Sequence, residues 1–292
     1  MINLYKRKPI IVAEIGCNHK GNFNIAKQMI REAKQCGADY VKFQKRDNRY
    51  LLGDKYNAPH PVPYNSYGAS YGKHRDYLEF DLSTHKKLFN YCKKIGIKYS
   101  VSVWEKNSAI EFIKSKIKLD YLKVPSACNL DFELLEVLVK KFKGKIHVSL
   151  GMTSRNEIRK IFNFFKKKNR AKDLIFYACT SDYPVNNEDV CLLEINYLKK
   201  KYQSQIDSIA FSGHHLGISI DIASYLLGAN FIERHFTLDR TWKGTDHAAS
   251  LEPQGLSKLC RDIEVVNKSL KFKNKLGLLK IEKKQRNKLK NV

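Results

Sequence analysis

Short apolar runs alternate with segments of helical spacing along most of this chain, and that alternation constrains its fold more than any other feature. Residues 10–16 (IIVAEIG), 40–44, 98–104, 121–126, 145–151, 174–181, 208–211 and 231–236 read as strands, because they are continuously apolar or alternate with a period of two. Helical spacing follows each of them, at 22–37, 81–96, 108–116, 131–142, 156–168, 189–202, 219–229 and 254–270. Gly37 stands where a helix C-cap belongs, and Asp81 or Ser83 where an N-cap belongs. Regular strand–helix alternation implies a parallel sheet covered by helices. Eight such units favour one closed (β/α)8 TIM barrel over an open doubly wound sheet. No G-x-G-x-x-G or Walker loop is present, which also argues against a dinucleotide-binding sheet. The expected organisation is a catalytic barrel over residues 1–270 and a short basic C-terminal tail, 271–292, read as a terminal helix or a frayed end. One segment departs from the rhythm: the polar stretch 45–80, rich in Tyr, Pro, Gly and His, reads as a long structureless loop of functional importance.

Composition narrows the class. A hydrophobic content of 43% in 292 residues suffices for a large core. There is no run of about 18 apolar residues, and Lys6 to Lys8 lead into a strand, so neither membrane spanning nor export is expected. Seven scattered cysteines without paired C-x-x-C spacing suit a reducing, cytoplasmic setting rather than a disulfide framework or zinc ribbon. The formal charge of +25 is compatible with nucleic acid, acidic membrane or anionic substrates. Lysine dominates it and is spread over helix faces, so a solvated surface is the simpler reading and no nucleic-acid partner is expected.

In a (β/α)8 barrel the chemistry sits at the carboxyl ends of the strands. The polar residues collected there are Glu14, Lys42, Gln44, Ser102, Lys123, Ser126, Ser149, Thr180, Ser181, Tyr183, Ser212, His214, Glu233 and His235. Lys42 and Lys123 lie inside apolar strands, where an unpaired ammonium is costly. Each alone could point to the surface. Together with several strand-end hydroxyls they form an anion site suited to a small phosphorylated acid. His214 and His235 end neighbouring strands and open onto one end of the sheet; they are either polar strand-end residues or ligands for a divalent metal. Asp246 is either an acid–base group or a cap or salt-bridge partner of Arg234 or Arg240. His247 and His19 read as supports for their loops.

The motifs AEIGCNHKG (13–21), GADYVKFQ (37–44), KVPSACN (123–129), SLGM (149–152), CTSDYP (179–184), FSGHHLGI (211–218) and IERHFTLDRTWKGTDHAASLEP (232–253) resemble those of the sialic acid synthase family. The resemblance runs over roughly residues 8 to 270. It implies condensation of phosphoenolpyruvate with an aldehyde amino sugar such as N-acetylmannosamine or a relative, releasing phosphate. It also implies a divalent metal, usually Mn2+, with Mg2+ or Co2+ as alternatives, and a possible homodimer. By position, His214 and His235 would hold the metal. Lys42, Ser102, Lys123, Ser126, Ser149 and Ser212 would bind phosphoenolpyruvate, with Gln44 and Ser181 beside them. Glu14, Tyr183 and Asp246 would face the sugar and its aldehyde. Cys128 stands where the family often has a sugar-contacting glutamate, and Ser212-Gly213-His214 stands where Ser-Asp-His is common. The family's carboxy-terminal antifreeze-like domain is not found in this chain. The loop 45–80, above all His74 and Arg75, is therefore expected to supply missing sugar contacts. Two other readings remain: a 3-deoxy-2-ulosonate synthase acting on a phosphorylated sugar, and a non-catalytic basic barrel.

Overall fold

The computed structural model describes residues 8–273 and 277–290; Lys6, from the leading basic stretch, lies outside the described residues. Eight strands close in sequence order into one parallel barrel. They are β1 (Ile10–Gly16), β2 (Tyr40–Lys45), β3 (Lys98–Val103), β4 (Tyr121–Val124), β5 (Lys145–Ser149), β6 (Leu174–Cys179), β7 (Ser208–Gly213) and β8 (Phe231–His235). β8 pairs with β1 to shut the sheet. All eight expected strands are present and start where expected, and all but the first are trimmed or extended by one or two residues at the carboxyl end.

Side-chain alternation divides each strand between two environments. Outward residues such as Ile11, Val41, Val101, Leu122, Val148, Phe176, Ile209 and Ile232 are buried in one large apolar cluster under the helices. Burying a side chain of this size fully stabilises the fold by roughly 1.5–3 kcal/mol relative to leaving it exposed. Inward residues stack in layers. At the amino end, Tyr40, Tyr121, His147, Tyr177 and Phe231 plug the barrel: the Tyr121 and His147 rings stack with centroids 3.7 Å apart, and His147 Nδ1 lies 2.9 Å from the Tyr177 hydroxyl. Two residues further along the strands the inward layer turns polar.

The surrounding helices are α1 (Phe23–Gln35), α4 (Leu82–Ile95), α5 (Lys106–Lys114), α6 (Phe132–Lys141), α7 (Arg155–Lys167), α8 (Glu194–Tyr202), α9 (Ser219–Leu226) and α10 (Pro253–Ser269). Their starts are set by side-chain caps: Asn22 accepts from the backbone of Asn24 and Ile25, Asp81 from Thr84, Asp131 from Glu133 and Leu134, and Ser154 forms a capping box with Glu157. No described helix is long and apolar enough to cross a membrane.

The stretch 45–80 is not the structureless loop its composition suggests. It holds α2 (Asn48–Leu52), capped by Asp47, and α3 (Tyr71–Leu78), capped by Ser70, with two short 3-10 turns between them. Aromatic packing and a buried glycine stand in for an amphipathic repeat. A Cβ on Gly72 would meet the Tyr56 ring at 2.3 Å, so only glycine lets α3 approach that closely. In the basic tail a helix, α11 (Lys280–Leu289), is present with Ile281 and Leu289 exposed; residues 274–276 and 291–292 lie outside the described residues.

Candidate active site at the barrel mouth

The polar layer above the aromatic plug opens into a cavity of about 380 Å³. Strand register places its residues side by side: Glu14 pairs with Lys42 and with His235, Gln44 with Ser102, Ser102 with Lys123, and Ser212 with Glu233. Glu14, Lys42, Gln44, Ser102, Lys123, Ser126, Ser149, Ser181, Tyr183, Ser212, His214, His235, Asp246 and Arg75 all line this one space. His74 does not. It is 3% exposed, accepts from the Tyr67 backbone N–H through Nδ1 at 3.1 Å, and packs on His60, being turned by about 100° around α3 from Arg75. Cys128 is likewise buried beside the site rather than facing it.

Both strand lysines are fully enclosed and both are paired. Lys42 Nζ lies 2.5 Å from Glu14 Oε2, 2.7 Å from Ser102 Oγ and 3.6 Å from Glu233 Oε1. Lys123 Nζ donates to Glu233 Oε1 at 2.6 Å, and Ser212 Oγ donates to the same oxygen at 3.2 Å. Burial pulls the Lys123 ammonium below its ordinary value, with Glu233 opposing. For Glu233, burial pushes upward, but Lys123 and Lys42 outweigh it and hold the carboxyl below the usual carboxylate range. The ionised pair is the state this geometry favours, since a buried charge stripped of its partner is strongly penalised. Glu233 is thus the hub of the floor. Sequence reasoning placed it at a strand end without assigning it a role; its position two residues before His235, on the inward phase, was the available signal.

His214 follows β7 and His235 ends β8, with ring centroids 5.4 Å apart. His214 Nδ1 faces the Thr180 carbonyl at 2.8 Å, which fixes that tautomer as a donor and leaves Nε2 unprotonated. Burial, then the neighbouring His235, lowers the His214 pKa to about 3, so the ring is neutral. His235 Nδ1 is buried without a hydrogen-bond partner and lies 3.7 Å from Asp246 Oδ2. Asp246 is held below the ordinary carboxylate value although burial opposes this, by His235, Thr245, Arg75 and Arg46. It makes no salt bridge to Arg234 or Arg240: Arg234 binds Asp221, and Arg240 binds the Ala248 carbonyl. Tyr183 lies over the histidines, 4.2 Å from the His214 ring. Burial first, then Asp246, raises its pKa, so the phenol keeps its proton.

Backbone approach shapes the same space. A Cβ on Gly151 would meet Ser181 Oγ at 2.2 Å and Ser126 Oγ at 2.7 Å, so glycine there lets both hydroxyls reach the cavity. At Gly213 the space for a side chain is filled by the His215 ring, 2.7 Å from an added Cβ. In Ser212-Gly213-His214 the His215 ring therefore takes the space that a side chain at position 213 would need. His19 and His247 support loops: His19 Nδ1 accepts from the Gly21 N–H, and His247 Nδ1 pairs with Thr237 Oγ1.

A closed (β/α)8 barrel with two lysine–carboxylate pairs on its floor and a bare histidine pair above them defines an enzyme site for small anionic substrates at the C-terminal mouth. The chain belongs to the NeuB family, whose model matches residues 29–275. It is 39% identical over 270 residues to the N-acetylneuraminate-9-phosphate synthase of Mus musculus, covering 91% of this chain and 72% of that one. Against the N,N'-diacetyllegionaminic acid synthase of Campylobacter jejuni it is 34% identical over 266 residues, 90% of this chain and 78% of that one. A crystal structure of N-acetylneuraminic acid synthetase from Leptospira borgpetersenii in complex with citrate superposes with a TM-score of 0.79 at 29% identity, covering 97% of this chain and 93% of that one.

Proposed function

We propose that this protein condenses phosphoenolpyruvate with an aldehyde amino sugar, of the N-acetylmannosamine type, to give a nonulosonic acid and inorganic phosphate. It is a carbon–carbon-bond-forming enzyme on this reading, and its relatives are named synthases. The observation that carries the reading is the paired-lysine floor beneath His214 and His235, lined by the hydroxyls of Ser102, Ser126, Ser149 and Ser212. Such a floor suits a phosphorylated carboxylate: two amine side chains are held in place by Glu14 and Glu233, and the hydroxyls add donors around them.

The histidine pair fits a divalent metal in part. Two imidazoles present free nitrogens and Asp246 stands beside one of them, yet among the described residues no group of three or more His, Cys, Asp or Glu is arranged to hold an ion. His214 and His235 would be its protein ligands, leaving positions open to substrate or water. A bound divalent ion, manganese by preference, supplies Lewis-acid polarisation of the acceptor's carbonyl oxygen. The remaining roles belong to side chains. In the reaction the enol C3 forms a bond to the aldehyde carbon, water adds at C2, and the C2–O bond to phosphate breaks. Glu14, within 2.8 Å of Gln44 Nε2 and bound to Lys42, is placed to take the proton from water, and Asp246 to relay a proton at the aldehyde oxygen. Tyr183 closes over the acceptor, and Ser181 and Gln44 orient it.

The test is release of phosphate from phosphoenolpyruvate by the purified protein with manganese and a panel of aldoses. Turnover with an N-acetylated aminohexose is expected, and no turnover with any aldose would overturn the reading. His214→Ala and His235→Ala should each lose bound manganese by metal analysis; full occupancy in either removes that ligand assignment.

A further inference from the structure

The relatives differ in their products: one is named for a 9-phosphate and another is not. The cavity's cations lie in two layers that bear on this. Four cations and three carboxylates face it. The floor lysines are matched by Glu14 and Glu233 at 2.5 and 2.6 Å. The remaining two, Arg46 and Arg75, share the third carboxylate, Asp246, so one positive charge is left over on this side of the cavity, and the reaction set out above uses neither arginine.

Arg46 continues the inward phase of Lys42 and Gln44. It stands four residues beyond Lys42, a rise of roughly 13 Å toward the mouth if the chain stays extended. The residue is 6% exposed, and its guanidinium lies 3.9 Å over the Trp104 ring and donates to Gln44 Oε1 and to Cys17 Sγ. Among the described residues its one carboxylate contact within 4.0 Å is Glu79, at 3.9 Å and outside the cavity. Arg75 reaches the same rim from α3. Nε and one terminal nitrogen donate to its own Tyr71 hydroxyl at 3.2 and 2.8 Å, and it makes no salt bridge among the described residues. The strap that carries it is pinned to the opposite side of the mouth by the Tyr67 hydroxyl, which donates to the Lys243 carbonyl at 2.6 Å. Two planar guanidiniums held by stacking and by neutral acceptors, each with donors unspent, form a preorganised seat for an oxyanion.

We infer that Arg46 and Arg75 bind an anionic group, a phosphomonoester, on the acceptor sugar at the end remote from its aldehyde, so that the preferred acceptor is a phosphorylated amino sugar. This rests on the synthase reading above and adds the acceptor's class. The floor keeps phosphoenolpyruvate, and the rim arginines keep the second phosphate some distance from the first. That separation limits repulsion between the two phosphates.

The experiment uses the full chain with manganese and two probes, N-acetylmannosamine and N-acetylmannosamine 6-phosphate. Equilibrium binding of each is measured without phosphoenolpyruvate, and initial rates are measured with it. The wild type should bind the phosphorylated probe at least tenfold more tightly. Arg75→Gln should abolish most of that gap, Arg75→Lys should keep part of it, and KM for phosphoenolpyruvate should move less than twofold in both. Circular dichroism and thermal unfolding establish that the variants are folded; should Arg75→Gln fail to fold, Arg75→Lys and Arg46→Lys decide by the same gap. Equal binding of the two probes, a gap that survives Arg75→Gln, or a rise in KM confined to phosphoenolpyruvate overturns the inference. A binding gap without turnover of either probe upholds the subsite and sinks the synthase reading. Turnover of the plain sugar without a gap does the reverse.

Discussion

The barrel floor and the strap over residues 45–80 both contribute to one cavity, but they are held by different physics. The floor is fixed by strand register: each inward side chain is positioned by backbone pairing on both flanks, and its charges neutralise one another at 2.5–2.6 Å. The strap is fixed by ring packing and single hydrogen bonds, such as the Tyr67 and Tyr77 rings 5.0 Å apart and the Tyr67 N–H donating to His74. A site part built on strands is rigid and tolerates little change, whereas one built on a strap can vary in sequence and adjust to the substrate. On the reading proposed above, the shared chemistry belongs to the floor and the choice of acceptor to the strap.

The largest effect is expected on the floor. Glu233→Gln removes the carboxylate shared by Lys123 and Lys42 and leaves a buried ammonium without its closest partner. The cost is about 3–5 kcal/mol of folding stability, measured by denaturant unfolding, together with loss of phosphoenolpyruvate binding. Combining it with Lys123→Met should recover much of the stability and none of the binding. A single variant as stable as the wild type would show that the floor is not held by its ion pairs.

How much of this was legible in the sequence follows the same division. Strands buried on both faces write continuous apolar runs, and polar residues that break such runs at a period of two must face the barrel interior. Lys42, Lys123 and Ser102 could therefore be found without a structure, as could the histidines at the ends of β7 and β8. Glu233 and Arg46 obey the same period, at two before His235 and two after Gln44, and could have been assigned by carrying that count one step further. The strap carried no such period. Its helices are short, their caps at Asp47 and Ser70 are the main local signals, and Gly72 and the tyrosines pack by shape. Adjacent residues on α3 consequently went to opposite sides: Arg75 into the cavity and His74 into the protein.

An intermediate effect is expected where the two regions meet. His19, after β1, stacks on Phe80 at the end of the strap with centroids 4.0 Å apart, and His85 on α4 meets the same ring edge-on. Burial lowers each imidazole from 6.5 to about 3, chiefly because the charged form loses its hydration. A base whose folded pKa is depressed stabilises the fold above its unfolded pKa and loses that contribution as pH falls. The unfolded state takes up protons from about pH 6.5 downward while the folded state does not, so stability drops through the window 6.5 to 3 by up to about 1.4 kcal/mol per pH unit for each group. His85→Leu should flatten the slope between pH 6 and 4 by close to one proton. An unchanged slope would mean that the seam protonates without opening.

The smallest global effect is expected in the strap itself. His74 is buried, accepts one backbone hydrogen bond and touches the rings of His60, Tyr67 and Tyr71. None of these contacts reaches the barrel floor, so His74→Ala should leave the denaturant midpoint of the whole protein and its affinity for phosphoenolpyruvate close to wild type. Locally the loss matters more: about 1.4 kcal/mol raises the open population of the strap tenfold, and limited proteolysis should then cut within residues 58–78 about ten times faster. Acceptor KM should rise as well, because Arg75 is delivered by the same helix, and the faster cutting should slow again when a saturating phosphorylated acceptor holds the strap closed. If His74→Ala instead lowers global stability as much as Glu233→Gln does, the strap and the floor form one cooperative unit, and the separation of acceptor choice from shared chemistry loses its physical basis.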